Sequence, residues 1–170
     1  MRLIFLIFIF LITFTSCNST VESEKIGGEW LREGSRFGKG YMVGDKKDSN
    51  IAKNFMDAYE NMDAQLMSEL SADTVRFHPA DIGGVFDVDM TNTDFIVERQ
   101  SNWDSISRDY IFILPINLED SDGRIVTTAF SETRYIKDGS TETNIFYERL
   151  SINEEDQIVR VVQYSRPPNE

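Results

Sequence analysis

Cys17 is the only cysteine in the 170-residue chain, so no disulfide can form within one molecule and packing alone must hold its fold together. The position of this cysteine is also informative. A single basic residue, Arg2, precedes ten unbroken apolar residues, and two small residues lie directly before Cys17. A short apolar segment with a positive start and small residues at its end is typical of an N-terminal export signal.

A cysteine at the expected cleavage point favours a bacterial lipoprotein signal peptide, from which residues 1–16 are removed and in which Cys17 is acylated. Two alternatives fit less well. A membrane-spanning helix needs about 20 apolar residues, and this segment is shorter. An ordinary secretory signal would have a cysteine at this point only by chance. The pattern departs from the usual one at Phe14, where such signals commonly have leucine.

Acylation of Cys17 predicts a protein of the cell envelope that is attached to a membrane. Two or three acyl chains, each contributing about 0.8 kcal/mol per buried methylene, hold a protein stably on a bilayer. Asn18 follows the cysteine in place of the aspartate that commonly retains lipoproteins at the inner membrane. The outer membrane is therefore favoured over the inner membrane.

The charge of the chain argues against nucleic acid as a partner. It has 29 acidic and 17 basic residues and a net charge of −12. Such a chain repels the phosphates of nucleic acid and of an anionic lipid surface, and the acidity is expected to serve solubility.

The segment between the signal and the domain is rich in glycine. Six of the ten glycines fall between Gly27 and Gly44, and glycine-rich stretches are flexible. Trp30 and Phe37 are too apolar for a pure linker, so we expect an arm that packs on the domain or on the membrane. The predicted regions are a signal peptide at 1–16, a lipidated tether and Gly-rich arm at 17–48, one domain at 49–166 and a tail at 167–170.

Apolar residues recur at helical spacings from Ile51 to Leu70, which predicts a helix beginning near residue 50. Ser49 or Asp48 can cap its start. The run Asn61–Asp63 predicts an interruption that leaves a long helix followed by a short one. A further helical stretch is predicted within residues 93–103.

The second half of the chain has the alternation of β-strands, with Asp138-Gly139 as a strong hairpin signal. Pro115 suggests a bulge or a sheet edge. Helices followed by an antiparallel meander predict an α+β domain. Strands are predicted at 75–78, 110–118, 125–137, 143–153 and 158–165, with a loop at 80–92.

Four stretches follow the order of elements in a known superfamily, and together they span residues 50–166. They are Ala52–Tyr59, Asn61–Asp63, Leu70–Pro79, and the pair Phe146–Leu150 with Ile158–Val162. In these the chain resembles the nuclear transport factor 2-like superfamily, including the SnoaL-like group and ketosteroid isomerase. The resemblance implies a cone-shaped, curved antiparallel sheet wrapped over N-terminal helices, with an open-ended pocket. Members include several enzyme classes and non-catalytic binding proteins, often as dimers, so the fold alone does not choose a function.

The resemblance implies a catalytic position at His78, the only histidine. The catalytic carboxylate of ketosteroid isomerase precedes a proline at a strand end, and here His78 precedes Pro79. An imidazole suits proton transfer near neutral pH, and Asp81 or Asp87 could orient it; the alternative is a strand-end histidine bonded to backbone. The tyrosine donor of the isomerase aligns best with Phe55 or Asn54; Phe55 cannot donate a hydrogen bond, so steroid isomerisation of that type is not expected.

Five residues are predicted to line the pocket: Phe55, Tyr59, Trp103, Arg134 and Tyr147. The alternative for the aromatic ones is plain core. A charged row, Glu132 and Arg134, shares one strand face with Phe130. It could be a polar pocket wall, but we favour a solvated face or dimer surface with weak cross-strand ion pairs.

Three functions remain open at this point. The first is a lipid-anchored module that binds a small, partly apolar molecule in its pocket. The second is an isomerase, dehydratase or hydrolase that uses His78 as general base. The third is a protein-interaction module that presents its outer sheet face, for which a large exposed apolar patch would be evidence. No metal and no cofactor are predicted, and a homodimer is an open expectation.

Overall fold

The computed structural model describes residues 25–168, so the predicted signal peptide and Cys17 lie outside the described residues. The described chain forms eight strands and three helices. In chain order they are β1 (Lys25–Glu29), β2 (Gly40–Val43), α1 (Lys46–Glu60), α2 (Ala64–Glu69), β3 (Ser71–His78), β4 (Phe86–Asp89), α3 (Asp94–Gln100), β5 (Trp103–Leu118), β6 (Arg124–Ile136), β7 (Thr141–Ile152) and β8 (Ile158–Arg166).

All eight strands belong to one sheet with the order β1-β2-β5-β6-β7-β8-β3-β4. Every neighbouring pair is antiparallel except β3 and β8. The sheet is curved and does not close, and the helices cover one side of it, so the predicted α+β cone is confirmed. None of the helices within residues 25–168 has the length and apolar composition needed to cross a membrane.

Part of the predicted arm is strand. β1 and β2 pair with each other, and β2 extends the sheet by pairing with β5. The connection to α1 is tight at Gly44, where an added Cβ would lie 2.8 Å from the Pro115 carbonyl carbon. A side chain there would push β2 and α1 away from the sheet, so glycine is required by this close approach.

The first helix begins earlier than predicted. Asp45 caps it by accepting from the Lys47 amide at 2.7 Å. Asp48, an expected cap, is instead buried and bonded to the Arg124 guanidinium of β6. The predicted interruption is confirmed: Met62 has a φ of 57°, and Asp63 caps α2 through the Leu66 amide.

The two predictions for this part of the sheet have different outcomes. β5 has register shifts between Trp103 and Ser105 and between Tyr110 and Phe112, so Pro115, which stays in the ladder opposite Val126, is not at a bulge; it lies at the sheet edge that was the other expectation. Pro115 is tolerated because the pairing of β2 with β5 covers only Ile116 to Leu118, so no ladder bond needs its missing N–H. The predicted loop at 80–92 contains β4.

The sheet has an inner face against the helices and an outer face. Phe130, Phe146 and Leu150 of the inner face are fully buried and pack with residues of α1 such as Phe55 and Met56. The outer face carries a cross-strand row in exact register: Phe112, Ala129, Tyr147 and Tyr164. The predicted grouping of strand residues into two faces is confirmed.

We predict that Leu150→Ala lowers the free energy of unfolding by about 3 kcal/mol, because it removes a fully buried side chain and leaves a cavity. The matched control is Tyr147→Thr, three residues away on the outer face and 44% exposed, which should cost less than about 1 kcal/mol. Urea denaturation of both variants checks this. Equal losses would contradict the assignment of the two faces.

Candidate functional site

A cavity opens between the helices and the inner face of the sheet. It has a free volume of about 40 Å³, which is room for two or three water molecules. Its walls come from all three helices, from the end of β3 and the segment after it, and from three central strands. The lining residues are Phe55, Tyr59, Met67, Phe77, Pro79, Ile82, Phe95, Ile96, Arg99, Arg108, Glu148 and Gln163.

Most of the cavity wall is apolar or aromatic. Phe55 and Tyr59 of α1 are four residues apart and therefore lie on one face of that helix. Phe77 enters from β3. Ile82 and Phe95 are 51% and 36% exposed, so they form the mouth of the cavity. An outward rotation of either side chain would not remove a buried residue from the core.

Glu148 of β7 is the exceptional residue of the polar wall. Its side chain is 3% exposed, and its Oε1 accepts a 2.7 Å hydrogen bond from Gln163 Nε2 of β8. Its Oε2 is buried and has no hydrogen-bond partner. A buried carboxyl oxygen without a partner is costly. Because Glu148 lines the cavity, a molecule that enters beside it could supply the missing partner.

Burial raises the pKa of the Glu148 carboxyl above its usual value. The positive charge of Arg108 and the Gln163 hydrogen bond act in the opposite direction but do not cancel the effect. Desolvation disfavours the charged form of an acid. Glu148 therefore holds its proton more readily than an exposed glutamate does, and in that form it can donate a hydrogen bond.

A chain of buried ion pairs lies next to the cavity. Arg108 donates to Glu132 Oε2 at 2.7 Å, and Arg134 donates to Glu132 Oε1 at 2.7 Å. Arg134 also bonds Asp81 Oδ2 at 2.9 Å, and Asp81 accepts a further pair of bonds from Arg99 of α3. Positive and negative side chains alternate along this series of ion pairs, so each buried guanidinium is paired with a carboxylate.

Aromatic rings enclose these guanidiniums. Arg108 lies 4.7 Å from the Tyr59 ring centre and 4.5 Å from that of Phe130. Arg134 lies 4.4 Å from the centre of the Trp103 ring. Stacking of this kind adds cation–π attraction and keeps water from the charges.

Asp81 joins the segment after β3 to the rest of the site. Burial alone raises the pKa of the Asp81 carboxyl, but the hydrogen bonds and charges of Arg134 and Arg99 outweigh this and lower it. The ionised Asp81 holds the neighbouring Ile82 at the cavity mouth. Two glycines with positive φ, Gly83 and Gly84, follow it.

The five predicted pocket residues fall in three places. Phe55 and Tyr59 line the cavity. Trp103 and Arg134 lie behind its wall, where the Trp103 ring meets the Tyr59 ring edge-on at 6.4 Å. Tyr147 is on the outer face, because it alternates with the inner residues Phe146 and Glu148 along β7.

His78 lies outside the cavity as well. Phe77 faces the cavity, and in a strand the next side chain points to the opposite face. The His78 ring is 3.2 Å from the Arg160 guanidinium there. Partial desolvation and the charges of Arg160 and Arg76 lower the pKa of this imidazole. Asp87, expected near the imidazole, forms a two-bond ion pair with Arg76.

The favoured interpretation of the charged row is wrong. Glu132 and Arg134 are 1% and 6% exposed, so they are neither solvated nor on an outer surface. The alternative, a polar pocket wall, is not what the structure has either, because neither residue lines the cavity: they form buried ion pairs behind its wall. Phe130 on the same strand face was the available signal, since the face that carries a large aromatic residue is the face that is buried.

Sequence reasoning also missed Arg108, Glu148 and Gln163 as cavity residues. Glu148 shares its strand face with Phe146 and Leu150, so its burial could be inferred. The lack of a partner for Oε2 could not, because it depends on the positions of three other strands. Among residues 25–168, no group of three or more His, Cys, Asp or Glu side chains is placed to hold a metal ion.

No protein-family model matches the sequence, and no curated protein matches it either. Solved structures match the fold. An NTF2-like protein of unknown function from Exiguobacterium sp. 255-15 superposes with a TM-score of 0.54 at 16% identity, over 68% of this chain and 98% of that one. The chain has the nuclear transport factor 2-like fold.

Two further structures with this fold are similar to the chain at low identity. One is an LEH-like epoxide hydrolase of M. tuberculosis, with a TM-score of 0.55 and 12% identity over 71% of this chain and 83% of that one. The other, from Shewanella denitrificans OS-217, is assigned as a SnoaL-like polyketide cyclase, with a TM-score of 0.55 and 7% identity over 72% and 92%. At such identities the likeness concerns the fold alone.

We predict that Glu132→Gln lowers the free energy of unfolding by about 3 to 5 kcal/mol, because it leaves Arg108 buried without its carboxylate. The matched control is Glu142→Gln on the exposed part of β7, which should change stability by less than about 0.5 kcal/mol. Chemical denaturation measures both. A small loss for Glu132→Gln would mean that the ion-pair chain does not support the cone.

Proposed function

We propose that this protein is a lipid-anchored module of the cell envelope that binds a small, neutral, partly apolar molecule in its conical cavity. Glu148 is the anchor of that molecule: its protonated carboxyl donates a hydrogen bond from Oε2 to an acceptor oxygen of the ligand. The observation that carries the proposal is the buried Oε2 without a partner at the cavity wall.

The charges around the cavity support a neutral ligand. Arg99 and Arg108 line it, but both are bonded to carboxylates and do not attract an anion. The same guanidiniums disfavour a cation beside Glu148. A neutral oxygen acceptor avoids both costs and pairs Glu148 Oε2, the unpaired buried side-chain atom that belongs to a residue of the cavity wall.

The shape of the cavity supports a small ligand. Its free volume of about 40 Å³ is far below the 300 to 1,000 Å³, roughly, of pockets for drug-sized molecules. A ligand of six or seven heavy atoms therefore needs Ile82 and Phe95 to turn outward. Both are exposed enough at the mouth to do so.

The anchoring to the envelope is proposed from the N-terminal segment. Arg2, the apolar run after it and Cys17 have the arrangement of a lipoprotein signal. The acyl chains would hold the domain at a membrane, with the outer membrane favoured because Asn18 follows the cysteine.

An enzyme is the second candidate, and the raised pKa of the Glu148 carboxyl favours it. A carboxyl that keeps its proton in an apolar site is a suitable general acid for hydrolysis, dehydration or isomerisation. Solved neighbours with this fold include an epoxide hydrolase. Because His78 lies on the opposite face of the sheet, Glu148 takes the acid–base role in this candidate.

The first test is the pH dependence of stability. The folded-state pKa of Glu148 is raised, so its contribution to stability is complete below the unfolded-state pKa and is lost as the pH rises through the folded-state pKa. Glu148→Gln removes this loss. We expect the variant to gain stability relative to the wild type as the pH rises above about 4, the usual pKa of an exposed glutamate.

Urea denaturation at a series of pH values measures this difference. Glu142→Gln, at an exposed position of the same strand, is the control and should follow the wild type throughout. A constant difference between Glu148→Gln and the wild type would contradict a raised pKa in the folded state.

The second test measures binding of cyclohexanone and cyclohexane by NMR titration. We expect the wild type to bind the ketone more tightly, with an affinity that falls as the pH rises, because the ionised carboxyl cannot donate. Glu148→Gln retains an N–H donor and should bind the ketone independently of pH. Glu148→Leu should lose about tenfold in ketone affinity, corresponding to one buried hydrogen bond.

Tyr147→Leu on the outer face is the control for this titration and should leave both affinities unchanged. Equal binding of ketone and hydrocarbon by the wild type would contradict the role of Glu148 as anchor. Deuterium exchange at the α-carbon of the ketone in D₂O, lost in Glu148→Gln, would favour the enzyme over the binding module.

A further inference from the structure

The connection between β1 and β2 forms a closed, projecting loop. We call Trp30–Lys39 the arm loop. Two backbone hydrogen bonds of 2.9 Å close its base, from Trp30 N to Lys39 O and from Gly38 N to Trp30 O. Gly38 has a φ of 77°, which permits this closure. The arm loop is thus a defined structure and not a random tether.

The arm loop exposes large apolar side chains that the fold does not use. Leu31 is 70% exposed and Phe37 is 62% exposed. They flank the closed base, next to the half-buried Trp30. Two apolar side chains that stay in water add no burial energy to the folded state. Their exposure therefore indicates contact with something outside the described chain.

Arginines accompany these apolar side chains. Arg36 lies 5.7 Å from the Trp30 ring centre, and Arg149 of β7 lies 5.9 Å from it. Arg32 is exposed beside Leu31. The Lys39 ammonium bonds the Asp120 carbonyl in an acidic turn, so the basic surface consists of the arginines, with one exposed acid, Glu33, between Arg32 and Arg36. This surface stands out because the chain as a whole carries a charge of −12.

The combination of tryptophan, exposed apolar side chains and arginine is the one that binds the interface of an anionic bilayer. Apolar side chains enter the acyl boundary, and guanidiniums meet lipid phosphates. The acidic remainder of the protein is repelled by the same surface, so electrostatics would turn the arm loop toward the membrane.

The chain outside the structure brings the arm loop close enough for this contact. Seven residues, 18–24, lie between Cys17 and the start of β1 at Lys25. Even when fully extended, they span at most about 28 Å. An acyl anchor on Cys17 would thus hold the start of β1 within about 28 Å of the membrane, and the arm loop follows at the other end of this five-residue strand, within reach of the surface.

We propose that the arm loop inserts Leu31 and Phe37 into an anionic bilayer surface, with Arg32 and Arg36 on lipid phosphates, and so fixes the orientation of the anchored domain. This inference rests on the anchoring part of the proposed function and is independent of the ligand cavity. The acyl anchor supplies attachment, and the arm loop supplies orientation.

The test uses the full chain reconstituted in phosphatidylcholine vesicles, with or without phosphatidylglycerol, in which part of the lipid is brominated on its acyl chains. Bromine quenches tryptophan fluorescence only at close range. The chain has two tryptophans, Trp30 and Trp103. We expect quenching that requires phosphatidylglycerol and is absent in Trp30→Phe, which leaves only Trp103 of the cone as reporter.

Two double variants separate insertion from general effects. Leu31→Ser with Phe37→Ser should abolish the quenching. The control is Val97→Ser with Ile111→Ser, at positions 55% and 61% exposed outside the arm loop, and it should quench like the wild type. Arg32→Gln with Arg36→Gln should lower the ratio of inserted to free loop by about thirtyfold, since each cation near an anionic surface contributes about fivefold.

Three outcomes would overturn the inference. The first is no quenching of Trp30 in the wild type. The second is quenching in the Leu31 and Phe37 double variant that equals that of the wild type. The third is the same unchanged quenching in that variant together with a change from dimer to monomer. The last would make the arm loop a contact between two copies. Glu148→Leu should quench like the wild type, so failure of the ligand-binding proposal and failure of this one are distinguishable.

Discussion

The cone depends on Glu132, a fully buried carboxylate that accepts hydrogen bonds from two arginines on the inner face of the sheet. Arg108 reaches it from β5 and Arg134 from its own strand. Removing two guanidiniums from water costs several kcal/mol each unless they are paired and bonded. Glu132 and Asp81 supply that pairing, and aromatic rings fill the space between the charges. The polar interior is thus stable only when every ion pair of the series is present. These ion pairs connect the sheet to α3 and to the segment after β3.

Glu148 is the buried charged residue whose pairing is incomplete. It lies on the same inner face, but its second oxygen lacks a partner and its pKa is raised by burial. A protein that pairs Arg108, Arg134 and Arg99 so completely leaves this one atom open to the cavity. Such departures from local consistency are expected at functional sites. The ligand cavity and the arm loop lie on different parts of the molecule, one concerned with binding and the other with placement at a membrane.

Much of the architecture could be predicted from the sequence, because hydrophobic period and turn residues are local signals. The break at Met62, the hairpin at Asp138-Gly139 and the two faces of β6 and β7 are confirmed. The start of α1 was missed because Asp48, a suitable cap, is used instead in a tertiary ion pair with Arg124. β4 was missed because its four residues follow a glycine-rich stretch and gain their strand structure only by pairing with β3.

The site was harder to predict, because the local sequence around a charged strand residue does not show whether that side chain lies on the buried or the exposed face of the sheet. By itself the sequence determined the α+β class, which residues of β6 and of β7 share a face, and the absence of a disulfide within one molecule, since these follow from residue type and a period of two. Only the tertiary structure decided that Glu132 and Arg134 are buried, that Phe77 and not His78 faces the cavity, and that Glu148 is left unpaired. The reason is that burial and pairing are properties of the neighbours: the helices that cover one face of the sheet and the strands that bring partner charges within hydrogen-bond distance.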